Sequence, residues 1–155
     1  MGTNDPTDGD RVKVKDPAHP IASPSGWHNS GKRGGKSTTT IGNNVIAHEN
    51  LNGHSQWENN HRPDGSPSLV FDYPVDLSAE PFTYIDAAVT NLFYWNNIIH
   101  DIFYLYGFDE QAGNFQMDNH QKGGKGGDSV IANAQDGSGT NNANFATVSN
   151  HLFFS

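Results

Sequence analysis

The sequence predicts an α+β fold: mainly short antiparallel strands and loops arranged around one long buried helix at about residues 82–106. Two observations carry that prediction. A single stretch, "PFTYIDAAVTNLFYWNNIIHDIFYLYGF", repeats its apolar residues at helical spacing, and the rest of the chain offers only short β-prone runs between Gly, Pro, Asn and Ser. With hydrophobic residues at 34% and 17 glycines in 155 residues, the core has to be concentrated in a few segments.

In the helical stretch Ile85, Ala88, Val89, Leu92, Trp95, Ile99, Ile102, Phe103 and Tyr106 follow the 3, 4 rhythm of one helix face. Phe93, Tyr94, Ile98, Tyr104 and Leu105 widen the apolar surface, which predicts burial on several sides. Ser78, Glu80 and Pro81 mark the N-terminal boundary, and Gly107 falls where a left-handed cap would close the last turn. Such a helix needs apolar partners, and the flanking segments are poor in them, so the fold is expected to be incomplete within this sequence. On the N-terminal side, "TTTIG", "NVIAHEN" and "SLVFDYP" read as strands, the last ended by Pro74. On the C-terminal side, "NFQM", "DSVIANAQ" and "ANFAT" read as strands joined by turns.

Charge and motifs exclude several function classes. The formal net charge of −8 repels phosphate backbones and anionic lipid, which argues against nucleic acid and membrane surfaces as partners. No apolar run approaches the 18 residues of a membrane span, and "MGTNDPTDGD" has neither the basic nor the apolar region of a signal peptide. The absence of cysteine removes disulfides, thiolate metal sites and a cysteine nucleophile.

Three clusters invite a chemical reading. "HENLNGH" brings His48, Glu49 and His54 together, but the histidines are six apart rather than the four that place two imidazoles on one metal; a solvated loop is expected. His100 beside Asp101 has Phe103 and Tyr104 where a second ligand would sit, which favours a packed or partly exposed histidine with a hydrogen-bond partner. "KGGKGGD" lacks the order of a phosphate loop and precedes a strand rather than a helix, so a flexible turn is expected, and the pair Asp109-Glu110 is expected to be solvated. No catalytic constellation is complete.

A family comes into view across most of the chain. "NDPTDGDRVKVKDPAHPIASPSGWH", "TTTIGNNVIA", "SPSLVFDYP", "YIDAAVTNLFYWNNIIHDIFYLYGFDEQAGNFQ", "GGKGGD" and "ANAQDGSGTNNANFAT" together resemble the amino-terminal part of mature fungalysins, secreted fungal zinc metalloendopeptidases of thermolysin-like arrangement. The resemblance implies residues 1–147 as the N-terminal part of the catalytic domain, with 148–155 a tail that departs from the pattern. It implies a broad, elastinolytic endopeptidase that is secreted, is made with a propeptide and acts on protein or peptide substrates. It implies zinc held by an H-E-x-x-H helix and a more distant glutamate; no H-E-x-x-H occurs in the 155 residues, so this chain is expected neither to ligate zinc fully nor to act alone.

One binding element carries over by that resemblance. "NNANF" is similar to the edge strand of thermolysin-like enzymes that pairs with substrate backbone, which makes Asn142, Ala143, Asn144 and Phe145 the expected substrate contacts. A plain structural strand is the competing reading of the same residues, and a non-catalytic peptide-binding or inhibitory module is the competing reading of the chain.

Overall fold

The computed structural model describes residues 12–30, 35–140, 143, 145 and 146. Its framework is two five-residue strands and a helix between them in sequence: β1 (Val45–Glu49), α1 (Ile85–Leu105) and β2 (Val130–Ala134). The strands pair in parallel, with register Val45↔Val130 through Glu49↔Ala134. The α+β reading with one helix therefore holds, but the expected antiparallel sheet does not. Parallel partners cannot be joined by a tight turn, and the long connection from β1 to β2 contains α1, which packs on both strands.

Antiparallel pairing survives as single bridges: Asn29↔Lys36, Thr39↔Asp64 and Ile41↔Ile46. The segment "TTTIG" runs along the edge of β1 that β2 leaves open, where the Ala47 N–H donates to Thr40 O at 2.9 Å and Thr40 Oγ1 donates to Ala47 O at 2.7 Å. The strand expected at 68–74 is replaced by a turn: Leu69 has φ 54°, and its N–H and that of Val70 donate back to Ser66 O and Gly65 O. "NFQM" is not a strand either, because its backbone is taken up elsewhere. The Met117 N–H reaches Asn43 O, and the Gln116 N–H reaches Asp128 Oδ1.

The helix boundaries follow the sequence signals. A 3-10 turn, Pro81–Tyr84, leads into α1 with Pro at its first position. At the other end Gly107 has φ 97°, its N–H donates to Tyr104 O, and the Phe108 N–H donates to Phe103 O. Those two bonds are a Schellman closure, which satisfies carbonyls that the helix itself cannot.

The buried face of α1 is not the one with the longest apolar rhythm. Ala87, Val89, Phe93, Asn97 and Asp101 point inward, whereas Trp95, Ile99, Ile102, Phe103 and Tyr106 are exposed, Tyr106 at 86%. The expectation of a helix buried on several sides is thus corrected to full burial along one face, with Ile85, Ala88, Leu92, Tyr94 and Ile98 partly buried beside it. The core is small: Val89 and Phe93 of α1 meet Trp27, Val45, Ala47, Ala132 and Ala134. Alanines on both strands let the helix close on the sheet, and each large side chain removed from water there contributes about 2 kcal/mol.

Gly42 permits the loop carrying Trp27 to lie against this core, since a Cβ at Gly42 would fall 1.7 Å from Trp27 O. Gly107 is a different case, with open space around it and only its φ at stake. We therefore predict that Gly42→Ala lowers unfolding free energy by about 3 kcal/mol through overpacking, and Gly107→Ala by about 1 kcal/mol through left-handed strain. Urea denaturation of the two variants beside the parent chain reads both values.

Candidate functional site

The histidine cluster in "HENLNGH" does not converge. His48 lies on β1 and is fully buried, Glu49 is half-buried, and His54 is exposed. The expected solvated loop is wrong for His48, because the strand that carries it is covered on both faces. Its ring stacks on Trp57 at 5.9 Å, and its Nδ1 faces Glu49 O at 2.7 Å. Donation from Nδ1–H leaves Nε2 a bare acceptor, and that atom has no partner among the described residues. Glu49 itself ties down the following loop, accepting from the Leu51 N–H and the His61 N–H.

The most connected polar site is built around Asp101, one buried helical turn beyond Asn97. Its Oδ2 accepts from the His19 N–H at 2.9 Å and from Trp27 Nε1 at 2.8 Å. Its Oδ1 accepts from Ser23 Oγ at 2.6 Å and faces His100 Nδ1 at 3.0 Å. Burial opposes the charge, but these donors outweigh it and hold the carboxyl below the usual carboxylate range. Ser23 Oγ also receives Asn44 Nδ2, which in turn reaches Asn97 Oδ1.

His100 extends the network to the loop after α1. Its Nε2 faces Gln116 Oε1 at 3.1 Å; the Gln116 amide is oriented by its Nε2, which donates to Glu110 Oε1 and Asp118 O. Asn114 Nδ2 also lies 3.5 Å from Nε2, so the ring is held between Asp101 on one side and Gln116 and Asn114 on the other. The packed, hydrogen-bonded histidine expected from the sequence is what the structure shows.

Glu110 is buried rather than solvated, which corrects the reading of Asp109-Glu110. Tyr104 Oη donates to its Oε2 at 2.9 Å, and Lys122 Nζ lies 3.4 Å from its Oε1. Burial works against this carboxylate as well, yet its own backbone N–H, Tyr104, Gln116 and Lys122 lower its pKa. Lys122, from the glycine-rich turn, is therefore held by Glu110 and Tyr104 rather than presented to a phosphate. Asp101 stands out in the sequence only as the neighbour of His100, although it continues the four-residue spacing of Val89, Phe93 and Asn97; nothing in the sequence marks Glu110 as buried.

Of the expected substrate contacts, Ala143 and Phe145 are exposed, Phe145 at 75%, and neither lies in a strand. Asn142 and Asn144 lie outside the described residues, as do Thr147 and the tail 148–155. The preceding turn is fixed to the body, since the Gly137 N–H donates to Asn50 O and the Ser138 N–H to Asp136 Oδ1. β2, which leads into that turn, pairs with β1 alone among the described residues, so its second edge carries no strand there.

No group of three or more His, Asp or Glu side chains that could hold a metal ion occurs among the described residues. The carboxylate oxygens of Asp101 and Glu110 already accept from N–H and O–H partners, so these residues do not fit a zinc site. The family model described as Fungalysin metallopeptidase (M36) matches residues 1–151. The chain belongs to the fungalysin family. Extracellular metalloproteinase 2 of Arthroderma otae is 55% identical over 149 residues, covering 95% of this chain and 23% of that protein. Extracellular metalloproteinase mep of Aspergillus flavus is 56% identical over 147 residues, covering 94% of this chain and again 23% of the relative. The chain thus spans 23% of the length of these fungalysin relatives.

Two outcomes follow for stability. Asp101→Asn is predicted to cost about 3 kcal/mol, since it places an amide NH₂ against donors that converge on a carboxylate; chemical denaturation measures it. The pH profile is predicted to fall in two steps. Burial, seconded by Lys36 for His28 and by Arg62 for His48, lowers both histidine pKa values. The unfolded chain then binds more protons, and stability drops as pH falls below about 6.5. The depressed carboxyls of Asp101 and Glu110 add stability above the unfolded value of about 4, lost as pH falls further.

Proposed function

We propose that this chain is the N-terminal part of the catalytic domain of a secreted zinc metalloendopeptidase, contributing scaffold and substrate-side surface while residues beyond these 155 hold the metal. The observation that carries the reading is the family match over 1–151 together with relatives named extracellular metalloproteinases at 55% and 56% identity. Supporting it, the relatives are far longer, and no H-E-x-x-H or three-residue metal cluster is available among the described residues. The reaction of the whole protein is hydrolysis of peptide bonds in proteins, with zinc supplying an activated water when bound. A propeptide is the expected partner of the precursor.

Within that reading Asn142, Ala143, Asn144 and Phe145 are the substrate contacts. An extended peptide takes its affinity from backbone N–H and C=O groups and its selectivity from alternate side-chain pockets. Exposed Ala143 and Phe145 follow a turn anchored to Asn50, which supports a rim position for the segment.

The purified chain is predicted to show no chelator-sensitive cleavage of casein and no stoichiometric zinc uptake by calorimetry. Added extended peptide is predicted to shift the backbone amide resonances of 142–145, and Ala143→Pro, which removes an N–H, to abolish those shifts. Tight zinc with chelator-sensitive hydrolysis, or shifts confined to other segments, would overturn the assignment of roles. Inhibition of an intact fungalysin by the chain would favour the inhibitory-module reading instead.

A further inference from the structure

A cleft of about 340 Å³ lies at the N-terminal end of α1, remote in sequence from the segment 142–145. Its lining residues include the aromatics Tyr73, Phe82 and Tyr84 with Pro74, and the polar residues His61 and Asp86. Its volume is within the range of small-ligand sites, though at the low end. Asp86 stands in the first turn of α1, where a carboxylate is favoured by the helix dipole. His61 Nε2 meets Asp86 Oδ1 at 2.5 Å, which leaves Oδ2 without a hydrogen bond among the described residues. The backbone of His61 is held in place because its N–H donates to Glu49 Oε1 at 3.2 Å. Tyr73 is fixed as well, its hydroxyl donating to Asp64 O at 2.8 Å.

We propose that this cleft binds the side chain of a lysine or arginine in a peptide. Aromatic faces are electron-rich and attract a cation within about 6 Å of the ring centre. A carboxylate with a free oxygen adds a charge-assisted hydrogen bond to an ammonium or guanidinium group. The apolar rings match the methylene stem of such a side chain, which buries while the charged head stays near water. A net charge of −8 favours the approach of a basic peptide over an acidic one. The site is independent of peptide-bond hydrolysis, because it uses no metal and none of the residues 142–145.

The test is a titration of the full chain with N-acetyl-glycyl-lysyl-glycine amide at pH 8, above the ordinary imidazole range of about 6.5, read by ligand-observed NMR and calorimetry. Binding in the millimolar range is expected, weakened at least tenfold by Asp86→Asn and several-fold by Phe82→Ala. The same peptide with norleucine in place of lysine is expected not to bind. Both substitutions fall on partly exposed side chains, Phe82 at 65%, and an unchanged far-UV spectrum checks that the variants fold. Equal binding of the norleucine peptide, unchanged affinity in Asp86→Asn, or no binding of the lysine peptide at 20 mM would overturn the proposal.

Discussion

The structure depends on one buried carboxylate. Asp101 collects three donors from residues 74 to 82 positions earlier in the chain: the His19 N–H, Ser23 Oγ and Trp27 Nε1. An apolar contact at the same place would allow many arrangements of residues 12–30, which hold no helix or strand. A carboxylate out of water allows few, because each unfilled lone pair is costly. Trp27 is thereby delivered to the core beside Phe93 and the strand alanines, with Gly42 making room for its backbone. The irregular half of the chain is ordered by polar fit first and by apolar burial second.

The same constraint explains why α1 turns a mixed face inward. Val89 and Phe93 supply the apolar half of that face and Asn97 and Asp101 the polar half: Asn97 Oδ1 accepts from Asn44 while its Nδ2 donates to Phe93 O within the helix, and Asp101 accepts from Ser23. Trp95, Ile99, Ile102, Phe103 and Tyr106 are left on the outside, a patch of the kind that marks an interaction surface on a soluble protein. That asymmetry fits a chain that spans 23% of its relatives' length, as measured against the Arthroderma otae protein.

Much of this was legible in the sequence and some was not. The existence of α1, its start at Pro81 and its left-handed stop at Gly107 followed from spacing and capping chemistry, which are local. β1 and β2 fell inside the runs "NVIAHEN" and "DSVIANAQ", but their parallel pairing is a property of the whole path between them. Hydrophobic periodicity was right for the first half of α1, where Ile85, Ala88, Val89 and Leu92 meet the core, and wrong for the second, where it is blind to Asn97 and Asp101 taking the inward positions on polar partners. His48 and Glu110 were misread for the same reason: polarity predicts exposure only where no donor or acceptor is waiting. The proposed substrate contacts Asn142, Ala143, Asn144 and Phe145 rest on resemblance and on the exposure of Ala143 and Phe145, because backbone recognition leaves little trace in side-chain type.

The most direct measurement of the central role given to Asp101 is hydrogen exchange at the three tryptophan indoles, followed by proton NMR in the parent chain and in Asp101→Ala. The Trp27 Nε1–H, buried and bonded to Oδ2 at 2.8 Å, should exchange far more slowly than that of Trp95, which is 53% exposed. Its protection should vanish in the variant. Exchange of the Trp27 indole at the rate of Trp95 in the parent chain, or protection unchanged by removal of the carboxylate, would contradict the account.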